Sequence, residues 1–540
     1  MNTSTVDLCS DEREPNDAPV KDFPFEQDQS TDTAALRTDT LADSVLILLG
    51  LTALQRLVGF GRAILFCRWL DPKQLGQWDM AFSFILLAAP LAVLAIPGAF
   101  GRYVELYHRQ GQLRTFLQRT VLACGGLALV TVLGIHLARR YLSELVFGTP
   151  QQTQLVSLLA ISLAAAVASY FLLELFTALR NVRLVSLLNM INGLSFAALG
   201  ICLLLGWQRT AASVVVAYGG SCLITTVAAA WWLRRTWISL PPVVQPLTQR
   251  ALWSKMLPFA GWVLLAAVLA NLFQIVDRYM IVHYARMPAA KALVLVGDYH
   301  SSRVVPLLLV SIALMLSTMI TPHLSHDWEA GRRDRVVARL GLFLKLVGFT
   351  LVAAAVVVVF AAPLLFGVAF EGKFAGGRTV LPWTLTYCIW FGLAMIAENY
   401  LWCAEKARLA SLALLIGLLV NIGLNLLLLP RMGLMGAVLA TTAANLIALL
   451  LICVFNQLLG FRTDLGTWVV MALPLVLILG HWLGPWPAPL ALLAVGLAAF
   501  RGDRLLSPDE KRQLTEGYRQ YLQKLKNLPL VKACFLVAKT

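Results

Sequence analysis

The residues with chemistry to offer are charges set inside long apolar runs: Arg56, Arg62, Glu174, Asp277, Arg278, Arg303 and Glu398. A charge in hydrocarbon costs several kcal/mol unless it faces a wet cavity or meets a partner. Arg56 stands near the middle of its run. A guanidinium stays charged when buried and grips phosphate oxygens two at a time, so Arg56 is a candidate for an anionic head group. Arg62 follows six residues later, turned about 120° from Arg56 on a helix. It either shares that cavity or snorkels to the interface. Asp277 and Arg278 are adjacent, so one is expected to line a cavity while the other pairs with a neighbouring helix. Two roles suit Asp277: binding or exchanging a coupling ion, Na+ or H+, or closing a structural ion pair. Glu174 and Glu398 precede comparable basic connections and have the same two roles open to them. Arg303 begins its run and is expected near the outer surface, in a vestibule or anchoring a helix. The expected head-group set is thus Arg56, Arg62, Arg278 and Arg303, and the expected ion-coupling set is Asp277, Glu174 and Glu398. No catalytic residue, metal or cofactor is expected beyond that ion.

The elements that must hold these groups are about fourteen apolar stretches of roughly 20 residues between Leu41 and Phe500, the length that crosses a hydrocarbon core of ~30 Å. They fall near 44–68, 78–101, 116–138, 154–178, 184–206, 211–233, 256–283, 303–323, 338–366, 379–403, 409–429, 433–457, 466–483 and 486–500. Hydrophobic residues make up 59% and charged residues 14% of the 540 residues, far from a soluble domain. The net charge of +15 sits in the connections, where it reads as loops facing anionic lipid rather than nucleic acid. Eighteen basic residues fall on the side that includes Arg109, Arg183, Arg235 and Arg335, against about ten opposite, which places both termini in the cytoplasm. The nine cysteines form no C-x-x-C pair, so neither a disulfide framework nor a zinc site is indicated.

Residues 1–40 are polar and acidic, without the basic start and short apolar core of a signal peptide; a disordered cytoplasmic tail is expected. At the other end, Ser507-Pro508-Asp509-Glu510 has the form of a capping box opening a basic amphipathic helix, within a 501–540 tail that lies on the inner leaflet or in solvent.

Two landmarks recur at an offset of 220–221 residues. Leu75-Gly76-Gln77-Trp78 matches Val296-Gly297-Asp298-Tyr299, and Gly111 in HRQGQLR matches Gly331 in EAGRRDR. A later echo pairs TALRNVRL (177–184) with CAEKARL (403–409). The order predicts an all-α polytopic bundle. It has a six-helix half at 41–235, a cytoplasmic linker at 236–255, a second half at 256–460 and two extra helices at 461–500. Each half holds an even number of spans, so the repeats are parallel around a central cavity, an arrangement that suits a transporter.

The segments RLVGFGRAILFCRWLDPKQLGQWDMAFSF (56–84), NLFQIVDRYMIVHYA (271–285) and VGDYHSSRVVP (296–306) resemble the starts of the two halves in polysaccharide-transport flippases. NIGLNLLLLPRMGLMGAVLATTAANL (421–446) is similar to that family's eleventh-to-twelfth helix join. The family belongs to the multidrug, oligosaccharidyl-lipid and polysaccharide exporter (MOP) superfamily, and the resemblance covers about residues 41–460. It implies ion-driven flipping of an undecaprenyl-pyrophosphate-linked glycan across a bacterial inner membrane, with a polymerase and glycosyltransferases as partners. Lipid II flipping and drug/cation antiport are the other readings within the superfamily. Walker A, G-x-S-x-G, H-E-x-x-H and Rossmann patterns are absent. The longest connection, about 234–255, lacks carboxylates, which argues against a membrane glycosyltransferase or polymerase.

Overall fold

The computed structural model describes residues 41–238 and 247–526. The acidic tail, the centre of the linker and the last fourteen residues lie outside that description. A unit Met1–Ile47 is described only over residues 41–47, and a unit Leu48–Thr540 carries the rest. Among the described residues every regular element is helical. The first half runs α1 (Leu41–Trp69), α2 (Pro72–Ala92), α3 (Phe100–Arg109), α4 (Leu113–Leu137), α5 (Arg139–Phe147), α6 (Thr153–Ala178), α7 (Val182–Gly206) and α8 (Ala211–Ile238). The second runs α9 (Gln249–Tyr284), α10 (Ala289–Glu329), α11 (Arg333–Leu364), α12 (Ala375–Ala397), α13 (Asn399–Cys403), α14 (Ala407–Met432) and α15 (Leu434–Leu458). Then follow α16 (Leu465–Ala472), α17 (Leu475–Leu483), α18 (Pro487–Arg501) and α19 (Pro508–Lys526).

Eleven of the described helices are long and apolar enough to cross a membrane. Leu122, Leu129, Val130, Leu133 and Leu137 stand exposed along α4, with Leu137 at 85%, which in a soluble protein would be an untenable apolar face. The two added C-terminal spans depart from expectation. The thirteenth breaks at Leu473–Pro474 into α16 and α17, and the carbonyl freed at Pro474 accepts a hydrogen bond from Thr386 at 3.0 Å. The fourteenth, α18, has 15 residues and so rises only about 22 Å, short of the ~30 Å core.

The repeat is built into the backbone. Helix α2 packs against α10 with the two landmark glycines at the crossing. A Cβ added to Gly76 would lie 1.9 Å from the Leu293 carbonyl oxygen, and one added to Gly297 would lie 1.9 Å from the Pro72 carbonyl oxygen. These contacts are reciprocal at the repeat offset, as across a two-fold axis. The other landmarks end helices in matching turns. Gly111 and Gly331 take left-handed φ values of 66° and 71°. In both turns the next amide bonds back five residues, Gln112 to Tyr107 at 2.8 Å and Arg332 to Asp327 at 2.9 Å, the Schellman closure. Arg180 and Glu405, with φ of 59° and 57°, close the same way in the later pair.

The halves differ where α10 has its counterpart. Helix α10 is continuous for 41 residues and passes through Pro306 and Pro322 unbroken. In the first half the same course is broken after α2, where Leu94 and Ala95 take φ of 50° and 48° and a short 3-10 turn Ile96–Ala99 leads into α3. The eighth span therefore begins fourteen residues earlier than its apolar run suggests, because VGDYHSSR is helical and buried against α2 and α12.

Candidate functional site

Among the cavities that border Arg56, two carry the charged and polar groups. The first, of about 380 Å³, opens between α1, α7, α8 and α10. Its wall carries Arg56 and Arg62, the amides of Asn189 and Asn192, the Tyr218 ring and His300 and, among the described residues, no carboxylate. The Arg62 guanidinium lies 4.0 Å from the centre of the Phe196 ring, a placement that holds a cation without neutralising it. The second cavity, of about 470 Å³, lies between α9, α10, α12 and α15 and shares Arg56, Leu307 and Ser311 with the first.

Asp277 lines the second cavity within a set of neutral polar groups. Its Oδ1 accepts from Asn425 Nδ2 at 3.1 Å and its Oδ2 from the Tyr299 hydroxyl at 3.2 Å. Tyr387 donates to the Tyr299 hydroxyl at 3.1 Å, and the Arg303 guanidinium sits 5.1 Å from the Tyr299 ring centre. Asn421 and Thr441 reach the same carboxylate, and Asn425 Nδ2 also donates to Asn421 Oδ1. Asn425 Oδ1 is buried without a hydrogen-bond partner among the described residues. One carboxylate surrounded by amide and hydroxyl oxygens is donor chemistry for a hard monovalent cation or a proton. Among the described residues no three His, Cys, Asp or Glu side chains gather as a divalent transition metal would need.

The adjacent pair divides as the helix geometry requires. Asp277 faces the cavity, while Arg278 turns to α2 and pairs with Asp79 at 2.6 Å, with Ser83 Oγ accepting a further bond from it at 2.9 Å. Arg278 is therefore removed from the head-group set: its charge is already satisfied by a carboxylate 3% exposed. His300 Nδ1 meets the other Asp79 oxygen at 2.9 Å. Arg303 is not near the surface. It lies fourteen residues inside α10, 7% exposed, against the cavity. Glu174 on α6 and Glu398 at the end of α12 are half-buried, line neither cavity and make no ion pair among the described residues. Asn271 acts as helix glue, donating to the Leu86 carbonyl at 3.0 Å. Trp390 is packed, donating to the Met471 carbonyl at 2.8 Å, and Trp402 is an exposed aromatic.

Sequence reasoning passed over Asp79 and His300. The signal was present: extending the first landmark by one residue, LGQWD against VGDYH, aligns Asp79 with His300 at the offset of 221. The two touching side chains are repeat equivalents.

A family model described as polysaccharide biosynthesis protein matches residues 41–327. The chain belongs to the polysaccharide biosynthesis protein family. A second model, lipid II flippase MurJ, matches residues 264–485. Among solved structures, lipid II flippase MurJ in an inward closed conformation superposes with a TM-score of 0.65 at 14% identity, covering 84% of this chain and 99% of that one. An inward-facing multidrug resistance MATE transporter of the MOP superfamily gives 0.56 at 12%, covering 76% and 97%. A point mutant of the Vibrio cholerae MATE transporter VcmN gives 0.54 at 14%, covering 77% and 97%. At such identities the likeness is one of fold. None of the curated proteins searched matches the chain. This member of the family is a multi-pass membrane protein with the fold of those transporters.

Proposed function

We propose that the protein flips an undecaprenyl-pyrophosphate-linked oligosaccharide or polysaccharide precursor from the inner to the outer leaflet of a bacterial inner membrane. The cycle is alternating access, powered by an ion at Asp277. One observation carries the reading: a carboxylate-free cavity with Arg56 and Arg62 adjoins a second that holds the Asp277 oxygen cluster, and Arg56 borders both. An anionic head group in the first cavity and a cation in the second are then within reach of one guanidinium, so each site senses the occupancy of the other. The donor set favours Na+ over a divalent ion. Lipid II is the alternative cargo, supported by the MurJ model over the second half.

Flipping of an undecaprenyl-pyrophosphate glycan and of lipid II, measured side by side in proteoliposomes under imposed Na+ or H+ gradients, tests this. Arg56→Ala abolishes transport while the protein stays in the membrane. Asp277→Asn leaves a residual rate that no longer responds to the gradient. Wild-type transport by Arg56→Ala, or an unchanged ion response in Asp277→Asn, refutes the corresponding assignment.

A further inference from the structure

We propose that a cavity at one end of the first half binds an acidic sugar of the glycan cargo, with the carboxylate seated at the N-terminus of α6; this rests on the glycan reading above. The cavity, of about 650 Å³, lies among the starts of α2, α5, α6 and α8 and the turn that joins α7 to α8. The basic residues Arg183 and Arg235 stand at the other ends of α7 and α8. By that charge bias the cavity opens on the outer side, where a flipped glycan emerges.

The second half shows what this place lacks. There Asp298 on α10 accepts a hydrogen bond from the Gly377 amide in the first turn of α12. A carboxylate of the chain thus answers the positive end of that helix. At the repeat offset of 221 the counterpart of Asp298 is Gln77 on α2, and the counterpart of α12 is α6. Gln77 is only 3% exposed, lines the cavity and makes no hydrogen bond among the described residues. Gln152, at the N-cap of α6, gives no side-chain cap either. The first amides of a 26-residue helix therefore keep their positive end uncompensated. Lys73 and Arg139 add two formal charges to the same wall, and among the described residues its lining holds no carboxylate. An anion from outside can do for α6 what Asp298 does for α12.

The rest of the wall suits hydroxyl groups rather than a bare ion. Gln152, Gln154 and Gln208 line it with amides, which both donate and accept, as sugar hydroxyls do. Thr210 Oγ1 is buried there without a hydrogen-bond partner among the described residues. Trp207 lines the cavity while 53% exposed, offering a flat apolar face. Gln74 is committed to the frame: its Oε1 accepts from the Ala211 amide at 2.8 Å and holds the start of α8 to α2. A uronic acid unit matches the wall in full, with one carboxylate, several hydroxyls and an apolar C–H face.

The test is calorimetric titration of tetragalacturonate, neutral maltotetraose and inorganic phosphate into the full-length protein in detergent. Tetragalacturonate binds wild type about tenfold more tightly than maltotetraose, the worth of one charge-assisted bond. Gln77→Asp gives α6 the internal acid that α12 has, and lowers that affinity by about tenfold or more. Lys73→Ala/Arg139→Ala, which alters two exposed side chains and so spares the fold, weakens it likewise. Trp207→Ala weakens tetragalacturonate and leaves phosphate unaltered. Equal affinity for the acidic and neutral oligosaccharides, or no change in both charge variants, overturns the site. Phosphate bound as tightly as tetragalacturonate, with Trp207→Ala affecting neither, overturns the sugar as its ligand. These failures leave the transport reading standing; that reading falls separately, with wild-type flipping by Arg56→Ala.

Discussion

Substituting Gly297 by alanine tests the α2–α10 crossing. The new Cβ would lie 1.9 Å from the Pro72 carbonyl oxygen, 2.7 Å from its carbon and 3.1 Å from its Cα. All three are backbone atoms, so no side chain can swing aside, and α2 must retreat by roughly 1 Å or more to clear the methyl group. Overpacking of this kind costs about 1–3 kcal/mol, and an unyielding obstacle places it at the upper end. The retreat also stretches the 2.9 Å Asp79–His300 contact to about 4 Å, beyond a hydrogen bond. Gly59→Ala is the control: its Cβ meets nothing within 4 Å, and alanine is the better helix former by about 1 kcal/mol. Thermal unfolding in detergent should therefore show Gly297→Ala destabilised by about 3 kcal/mol and Gly59→Ala unchanged or stabilised. Gly76 occupies the same crossing, with its own Cβ blocked by Leu293. Once one methyl has parted the helices the second enters cheaply, so Gly76→Ala/Gly297→Ala should cost little more than the worse single change, an interaction of about 1–3 kcal/mol. Equal stabilities for Gly297→Ala and Gly59→Ala, or additive costs in the double variant, would refute the reciprocal contact.

Arg278→Gln strands the buried Asp79 carboxylate and should cost about 3–5 kcal/mol in the same unfolding assay, most of it recovered in Asp79→Asn/Arg278→Gln. The C-terminal helix is tied down by Lys345, 5% exposed, which contacts Asp464 at 2.5 Å and Glu510 at 2.7 Å. Lys345→Met should raise hydrogen exchange over 508–516 by about tenfold or more, leaving the α2–α10 region protected. The same segment should respond to acid. Burial works to raise the Asp464 carboxyl, but hydrogen bonds from Lys345 and Thr467 outweigh it and hold the group below the usual carboxylate range. A lowered folded value stabilises docking above about pH 4, where free aspartate is ionised, and that support is lost as pH falls through the folded value. Exchange over 508–516 should thus stay slow from pH 7 to 5, after correction for intrinsic rates, and quicken below about pH 4.

Local patterns were legible in the sequence. The Gly111 and Gly331 landmarks are helix-ending turns because a left-handed residue is required there. Ser507 and Glu510 form the capping box their spacing announces, Ser507 N donating to Glu510 Oε2 at 2.8 Å and Glu510 N to Ser507 Oγ at 3.2 Å. Properties that depend on distant partners were not legible. Nothing local says that Glu510 also binds a lysine 165 positions away. The polar run VGDYHSSR falls before the apolar span, yet neighbours on α2 and α12 bury it as helix. In the site, the split of Asp277 from Arg278 followed from helical geometry alone. Which residue went where was decided by Asp79, a carboxylate on another helix.

Helix α10 has a mechanical consequence. Gly297 fixes it against α2 eight residues from its start, and Glu329 ends it 32 residues further on, about 48 Å along an unbroken rod. That is a lever with its fulcrum near one end. A tilt of about 10° at the glycine sweeps the far tip through about 8 Å, while the Asp79–His300 contact, three residues from the fulcrum, moves by less than about 1 Å. A displacement the width of a sugar ring can therefore be produced at one mouth of the bundle while the bonds beside the pivot stay in register. The broken course after α2 gives the other half no such arm, so the two ends of the pathway are geared differently although the chain repeats itself.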